Sequence, residues 1–430
     1  WHGWLRPPRV NPVQCSSMAA MVRACMPLRT PPAAASSAAT APAAPSKPRS
    51  SARVLVLGGT GRVGGSTATA LSKLRPDLNI LIGGRNREKG MPLVSKLGQR
   101  SEFIHVDIRN SSRLKEVLEG VDLVVHAAGP FQRDDKCTVL QAATFTKTRY
   151  TDICDGVDYS WRAKSFHEQA KASGVPALIT AGISPGVSNV MAAELVRTAK
   201  GESGGEPETL RFFYYIAGTG GAGPTTLGTS LLLLGEDVIA YDKGSEIKLK
   251  PYSGARNIDF GKGIGKKYVY LMNLPEVKST HKNLGLPTVH ALFGSDPFIW
   301  NWGMETFANF LPSDLLRDKN VTLKFAECVD PFIRVIDGIV GERVAMRIDL
   351  ESSNGHTTTG LFAHNNLSVS VGYAAAAFAL AVLEGSTKPG VWFPEEPEGI
   401  AIDARKLLLR RASRGVTNFT MNKNSGMIEC

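Results

Sequence analysis

The spacing that first suggests chemistry is a spacing of glycines. Gly58-Gly59-Thr60-Gly61-Arg62-Val63-Gly64 follows directly on Arg53–Leu57 (RVLVL), a short run of Val and Leu. A strand, a glycine turn and a helix in that order can hold a pyrophosphate. Gly59 permits the tight turn, Gly61 lets the backbone come close to the phosphates, and Gly64 lets the helix pack on the strand. Backbone N–H groups opening the helix then face the anion, with Thr60, Arg62 and Val63 at the same mouth. Such glycines also occur as plain turns; the strand before and the helix after them are what point to a ligand.

A second group of residues bears on which dinucleotide this would be. The next expected strand ends in Gly83-Gly84-Arg85-Asn86-Arg87, where an NAD enzyme usually places a carboxylate on the ribose. Here Arg85 can grip a 2′-phosphate with both arms of its guanidinium, with Asn86 beside it, so NADP(H) is the expected cofactor. The alternative is a solvated basic turn. Asp107, after the third strand, can reach the adenine or serve only as a cap or surface residue. Ala128, Gly129 and Pro130, after the fourth strand, are placed for the nicotinamide side.

Proton handling falls to Tyr150, Asp152 and Asp155, expected at the end of the fifth strand on the ligand side of the sheet. Tyr150 and Asp152 share one face of that strand, so Tyr150 can donate a proton or simply pack. Asp155 and Asp158 could instead cap a helix over residues 159–173. Gly182–Gly186 and Gly218–Gly228 each lead into an apparent helix and could present N–H groups to a substrate carboxylate, or be turns without a ligand. The second lacks the lysine of a triphosphate-binding loop. His126 and His364 read as structural, and no tyrosine is followed at the fourth place by lysine, as short-chain dehydrogenases require. No metal site is expected: the six cysteines include no CxxC pair.

These residues need a scaffold that brings strand ends together. Apolar spacing at Val63, Thr67, Ala70, Leu71 and Leu74 predicts a helix from Gly61 to Leu74, ended by Pro76. Strands are expected at 79–82, 102–106, 121–125, 150–154 and 177–180, with helices at 87–97 and 111–118 between them. That alternation is of the α/β class: a doubly wound parallel sheet, the Rossmann arrangement. Beyond it, Leu210–Ile216, the alternating Val344, Met346, Ile348 and Leu350, and the turn at 352–355 predict antiparallel strands. Ser368–Leu383 reads as a buried helix, and its most apolar run, Tyr373–Leu383, is too short to span a bilayer.

Four segments together resemble the saccharopine dehydrogenase-like oxidoreductases, in particular their NADP-binding domain and a plastid-type plant member. They are Val54–Gly65 (VLVLGGTGRVGG), His126–Phe131 (HAAGPF), Tyr150–Gly156 (YTDICDG) and Gly182–Asn189 (GISPGVSN). The first is shared by many Rossmann proteins; the other three, in that order, are more specific. The resemblance implies that a second, α+β domain with a largely antiparallel sheet is inserted, and that the C-terminal segment returns to the first. The expected division is a leader at 1–52, the Rossmann domain at 53–185, a substrate or dimerisation domain at 186–365, and at 366–430 a returning helical segment with a flexible tail.

The net charge of +11 would suggest nucleic acid, but residues 1–52 carry six Arg and Lys and no acid, which leaves +5 on the rest. That leader, rich in Ala, Ser and Pro from Met18, the expected start, reads as a transit peptide to the chloroplast, with the mitochondrion as alternative. Without an address it would be a low-complexity tail. The expected partners are a small-molecule substrate and, for assembly, a second copy in a homodimer; no nucleic acid and no transmembrane segment are expected. The basic run Lys406–Arg414 fits a membrane-surface helix or ordinary salt-bridging. Function is expected to be hydride transfer on a small carbonyl, imine or amino-acid-type substrate, the alternative being a non-catalytic NADP(H) sensor or scaffold.

Overall fold

The computed structural model describes residues 51–132, 134–201, 205–220 and 224–424. The expected leader to residue 50, the Met18 start, the cysteines of that leader and Cys430, residues 221–223 of the second glycine loop and the tail beyond 424 lie outside them.

Strand β1 (Arg53–Leu57) sends alternate side chains to opposite faces: Val54 and Val56 enter one core, Leu55 and Leu57 another. It is followed by α1 (Arg62–Leu74), β2 (Asn79–Gly84), α2 (Arg87–Leu97), β3 (Ser101–His105), α3 (Ser111–Leu118) and β4 (Leu123–His126). Then come α4 (Thr138–Thr146), β5 (Arg149–Asp152), α5 (Val157–Lys164), α6 (His167–Ala172) and β6 (Pro176–Leu178). The single helix expected at 159–173 is thus two short ones. Gly156, not an aspartate, stands at the N-cap of α5, and Asp158 is an exposed residue of its first turn.

The second half runs α7 (Val187–Gly201), β7 (Pro207–Ala217), α8 (Pro224–Leu234), β8 (Val238–Asp242), β9 (Ser245–Leu249), β10 (Arg256–Asp259) and β11 (Lys266–Leu271). After α9 (Pro275–Leu284) and β12 (Thr288–Asp296), three helices follow: α10 (Phe298–Phe310), α11 (Ser313–Arg317) and α12 (Lys319–Val340). The hairpin β13 (Val344–Ser352) and β14 (Thr357–His364) leads to α13 (Leu367–Leu383), β15 (Gly390–Trp392), α14 (Ile402–Ala412) and β16 (Asn418–Asn424).

Two sheets result. The first is seven-stranded in the order β15-β6-β5-β4-β1-β2-β3, every pairing parallel, with helices on both faces. This is the doubly wound arrangement, and strand order reverses between β1 and β4, where such sheets leave a crevice. The second sheet runs β10-β11-β12-β7-β13-β14-β16, antiparallel except where β12 lies beside β7.

The C-terminal segment serves both. Helix α13 lies directly on α1: a Cβ at Gly372 would fall 2.6 Å from the Ser66 carbonyl carbon, so small residues on both helices set the contact. β15 extends the first sheet, whereas β16 pairs with β14 in the second, so the segment does not return to the Rossmann sheet alone. Among the described residues no helix is long and apolar enough to cross a membrane.

Candidate functional site

A cavity of about 850 Å³ opens at the carboxyl ends of the first sheet's strands and is closed on the far side by the second half of the chain. Its wall on the sheet side includes Gly58, Thr60, Gly61, Arg62, Val63 and Gly64, then Arg85 and Asp107, then Ala128, Gly129 and Pro130. These are most of the residues expected to hold a dinucleotide, and they line one continuous space.

The turn between β1 and α1 is built from close approach. Gly58 has φ +77° and sits against the end of β4, where a Cβ would meet the Ala127 carbonyl oxygen at 2.6 Å. At Gly64 a Cβ would lie 2.2 Å from the Gly58 carbonyl oxygen. The left-handed residue of the turn is therefore Gly58, and Gly59 lies beneath it against Ile82, off the cavity wall. Helix α1 starts with Gly61 at its N-cap, no side-chain cap bond and no acid in its first turn. Its positive end faces the cavity, the condition for receiving a phosphate.

At the adenosine end the expected arginine gains a companion. Arg85 lines the cavity, and so does Arg109, which belongs to no recognised motif. Arg109 forks onto Asp107 through contacts of 3.2 and 2.9 Å, and its hydrogen bonds lower the Asp107 carboxyl to about 2. Asp107 is thus a fixed anion held between arginines. Asn86 needs correcting: its side chain accepts from the Lys89 N–H at 2.9 Å and caps α2, away from the cavity wall.

Of the three residues expected to handle protons, one reaches the cavity. Asp155 lines it, accepts from the Gln132 amide at 2.8 Å, and is raised from its ordinary value by burial. Tyr150 and Asp152 are fully buried behind the wall and make no part of it. The Tyr150 hydroxyl donates to Asp152 at 2.8 Å, and Asp152 also accepts from the Thr180 and Cys154 N–H groups at 2.8 and 3.0 Å. Burial lifts Asp152 to about 6. It works as a brace tying the end of β5 to the chain after β6, where Thr180 has φ +57°. His126 is likewise internal: burial holds it near 3, and it packs edge-on against Phe131.

The opposite wall supplies groups that no local motif announces. Tyr214 of β7 lines the cavity, and its hydroxyl donates to Glu276 of α9 at 2.7 Å. Glu276 is buried, which raises it to about 7, and its Oε2 has no hydrogen-bond partner among the described residues. Lys319, the first residue of α12, reaches across to the Pro130 carbonyl and to Asp134, at 3.0 Å each. It joins the second half to the loop after β4.

The two glycine loops take different parts. Gly182, Ile183, Ser184 and Pro185 line the cavity, while the Gly186 N–H is occupied by Asn189 Oδ1 at 2.9 Å. In the other loop the Thr219 N–H donates to Asp337 at 2.8 Å, and α8 contributes Thr226, Thr229 and Ser230 to the wall.

The arrangement can therefore hold a dinucleotide along the strand ends and a small polar molecule between Asp155, Tyr214 and Lys319. Comparison with known proteins agrees with its first half. Residues 54–178 match the family model of the saccharopine dehydrogenase NADP binding domain. A search of curated proteins finds no match. Among solved structures, apo saccharopine dehydrogenase (L-Glu forming) from Saccharomyces cerevisiae superposes with a TM-score of 0.59 at 15% identity, over 86% of this chain and 99% of that one. At that identity the likeness is one of fold. GenD2 from gentamicin A biosynthesis, in complex with NAD, gives a TM-score of 0.40 at 12% identity, over 84% of this chain and 92% of that one, too distant to carry an argument.

Proposed function

We propose, from the premise that residues 54–178 are a saccharopine dehydrogenase NADP binding domain, that the chain is an NADP(H)-dependent oxidoreductase acting on a small carbonyl, imine or amino-acid-type substrate. The observation that carries this reading is the continuity of one cavity. It runs from the Gly58–Gly64 turn and Arg85 to Tyr214 and Lys319 of the second half, so a cofactor and a substrate can share it.

The residues fit the cofactor in kind. An uncapped helix start serves a pyrophosphate, and Arg85 with Arg109 serves a 2′-phosphate, no carboxylate being free at the end of β2 to prefer the bare ribose. A nicotinamide supplies or takes the hydride; the chain has to position the substrate, exclude water and move one proton. Tyr214 with Glu276 is the pair placed for that proton: burial holds the phenol protonated, above its ordinary value, and Glu276 titrates near 7, with Asp155 on the facing wall. Lys319 offers a fixed positive charge for a substrate carboxylate or developing oxyanion.

In the cell we place the protein in the plastid, on the composition of residues 18–52; a fluorescent fusion of residues 1–52 that stays in the cytosol would refute that address. Turnover is tested by following NADPH absorbance with a panel of 2-oxo acids, with and without amines. Tyr214→Phe and Lys319→Ala should each lower kcat by roughly tenfold or more while leaving the NADPH Kd within about twofold. Tight NADPH binding with no turnover over the panel would favour a sensor instead.

A further inference from the structure

Helix α12 carries apolar side chains on two sides, only one of which the chain itself covers. Its inner side buries Thr322, Ala326, Asp330, Ile333 and Asp337 and half-buries Leu323, Val329, Ile336 and Val340, so apolar as well as polar groups face the core. Its outer face is apolar: Val321, Phe325, Phe332, Val335 and Ile339 are all exposed, Phe332 by 67% and Ile339 by 80%, with Cys328 among them. An ordinary surface helix buries its apolar stripe and hydrates the polar one. Here one apolar side is buried, with Asp337 holding the Thr219 backbone beside it, and a second apolar stripe is left outside.

The outer stripe has a definite period. Positions 321, 325, 328, 332, 335 and 339 are separated by four, three, four, three and four residues, the alternation of a helix–helix seam. That series reads the same in both directions about Asp330. An antiparallel copy of the same helix, related by a two-fold axis, therefore sets Val321 against Ile339, Phe325 against Val335 and Cys328 against Phe332 along about 27 Å of helix. The exposed charges on the flank agree with the same register. Glu327 falls beside Arg334 of the second copy, and Arg334 beside its Glu327.

The area is sufficient. Phe307 of α10 meets Phe325 edge-on at 6.2 Å, which joins α10 to the stripe, and Phe310, one turn further on, is 81% exposed. With Phe310 added to the α12 stripe, the apolar surface is on the order of 600 Å² per copy, the lower end of what a stable interface needs. A lipid surface is the other partner an apolar helix face could take, but the flank carries Lys324, Glu327 and Arg334 rather than the basic excess that favours anionic headgroups.

We propose that α12 is the seam of a two-fold symmetric dimer, its outward stripe packed antiparallel on the same stripe of a second copy of this chain. This does not rest on the oxidoreductase reading.

Sedimentation of the full chain should give a dimer at about 10 μM, and Phe332→Glu with Ile339→Glu a monomer at the same concentration with an unchanged circular dichroism spectrum. Register is tested by cross-linking. Phe332→Cys, oxidised in the presence of the native Cys328, should give a disulfide-linked dimer that Cys328→Ser abolishes. Glu327→Arg alone should weaken the dimer about tenfold, and adding Arg334→Glu should restore it in part. A parent chain that stays monomeric to about 100 μM overturns the proposal. So does a dimer indifferent to Phe332→Glu, or a monomer that floats with neutral phosphatidylcholine vesicles.

Discussion

The two walls of the cavity are made in different ways. On the first-sheet wall, function is written locally: the turn from Gly58 to Gly64 joins one strand to one helix, and Arg85 stands at the end of the neighbouring strand. The facing wall is assembled from β7, α8, β12 and α12, elements separated by up to about a hundred residues, and the pair we propose for proton transfer joins Tyr214 to Glu276. A phosphate-binding turn needs a fixed backbone conformation and hence a fixed short sequence. A substrate pocket needs only side chains that converge, and many chain paths supply them.

The largest break in that comparison is at Gly64. Gly64→Val places a side chain where even a Cβ would sit 2.2 Å from the Gly58 carbonyl oxygen, so α1 must part from β1. A loss of about 3 kcal/mol or more in stability is expected, together with loss of NADPH binding, seen in chemical denaturation and calorimetry. Retained affinity would mean that the turn is not the phosphate site.

The facing wall gives a smaller, pH-dependent effect. Burial raises the Glu276 carboxyl from 4.5 to about 7, so the folded chain keeps a proton there that the unfolded chain has already released. The folded state consequently loses stability as pH rises from about 4.5 to 7 and loses no more above that. Glu276→Gln removes the titration: its Tm, relative to the parent, should climb between pH 5 and 7 and then level off. A difference that stays flat over that range would remove Glu276 as a titrating group.

Asn86 sharpens the first wall by contrast. Since it caps α2 and does not line the cavity, Asn86→Ala should cost about 1 kcal/mol and leave NADPH affinity unchanged. A clear fall in affinity would return Asn86 to the cofactor site.

How far the sequence could be read follows the same division. Alternation of short apolar runs with helical spacing gave the parallel sheet, since each strand of a doubly wound sheet is buried on both faces and shows itself as a compact Val, Leu and Ile run. The turn residues were legible for the same reason, although the positive φ belongs to Gly58. Tyr150 and Asp152 misled: a strand end indicates nearness to the ligand crevice, but these two side chains turn to each other inside the core. Arg109 was within reach, two residues beyond Asp107. Tyr214 and Lys319 were not, because the first sits in the apolar run Phe212–Ile216 and the second becomes a site residue only when the start of α12 meets the loop after β4. Nor could the outward stripe of α12 be read, since an apolar stripe predicts a buried face without saying which neighbour buries it.

The most direct test is calorimetric titration of the folded chain with NADPH and NADH, repeated with Arg85→Ala. NADPH should bind at least tenfold more tightly than NADH in the parent, and Arg85→Ala should abolish that preference while sparing NADH. If neither dinucleotide binds at millimolar concentration, the cavity at the Gly58–Gly64 turn is not a cofactor site and the account fails.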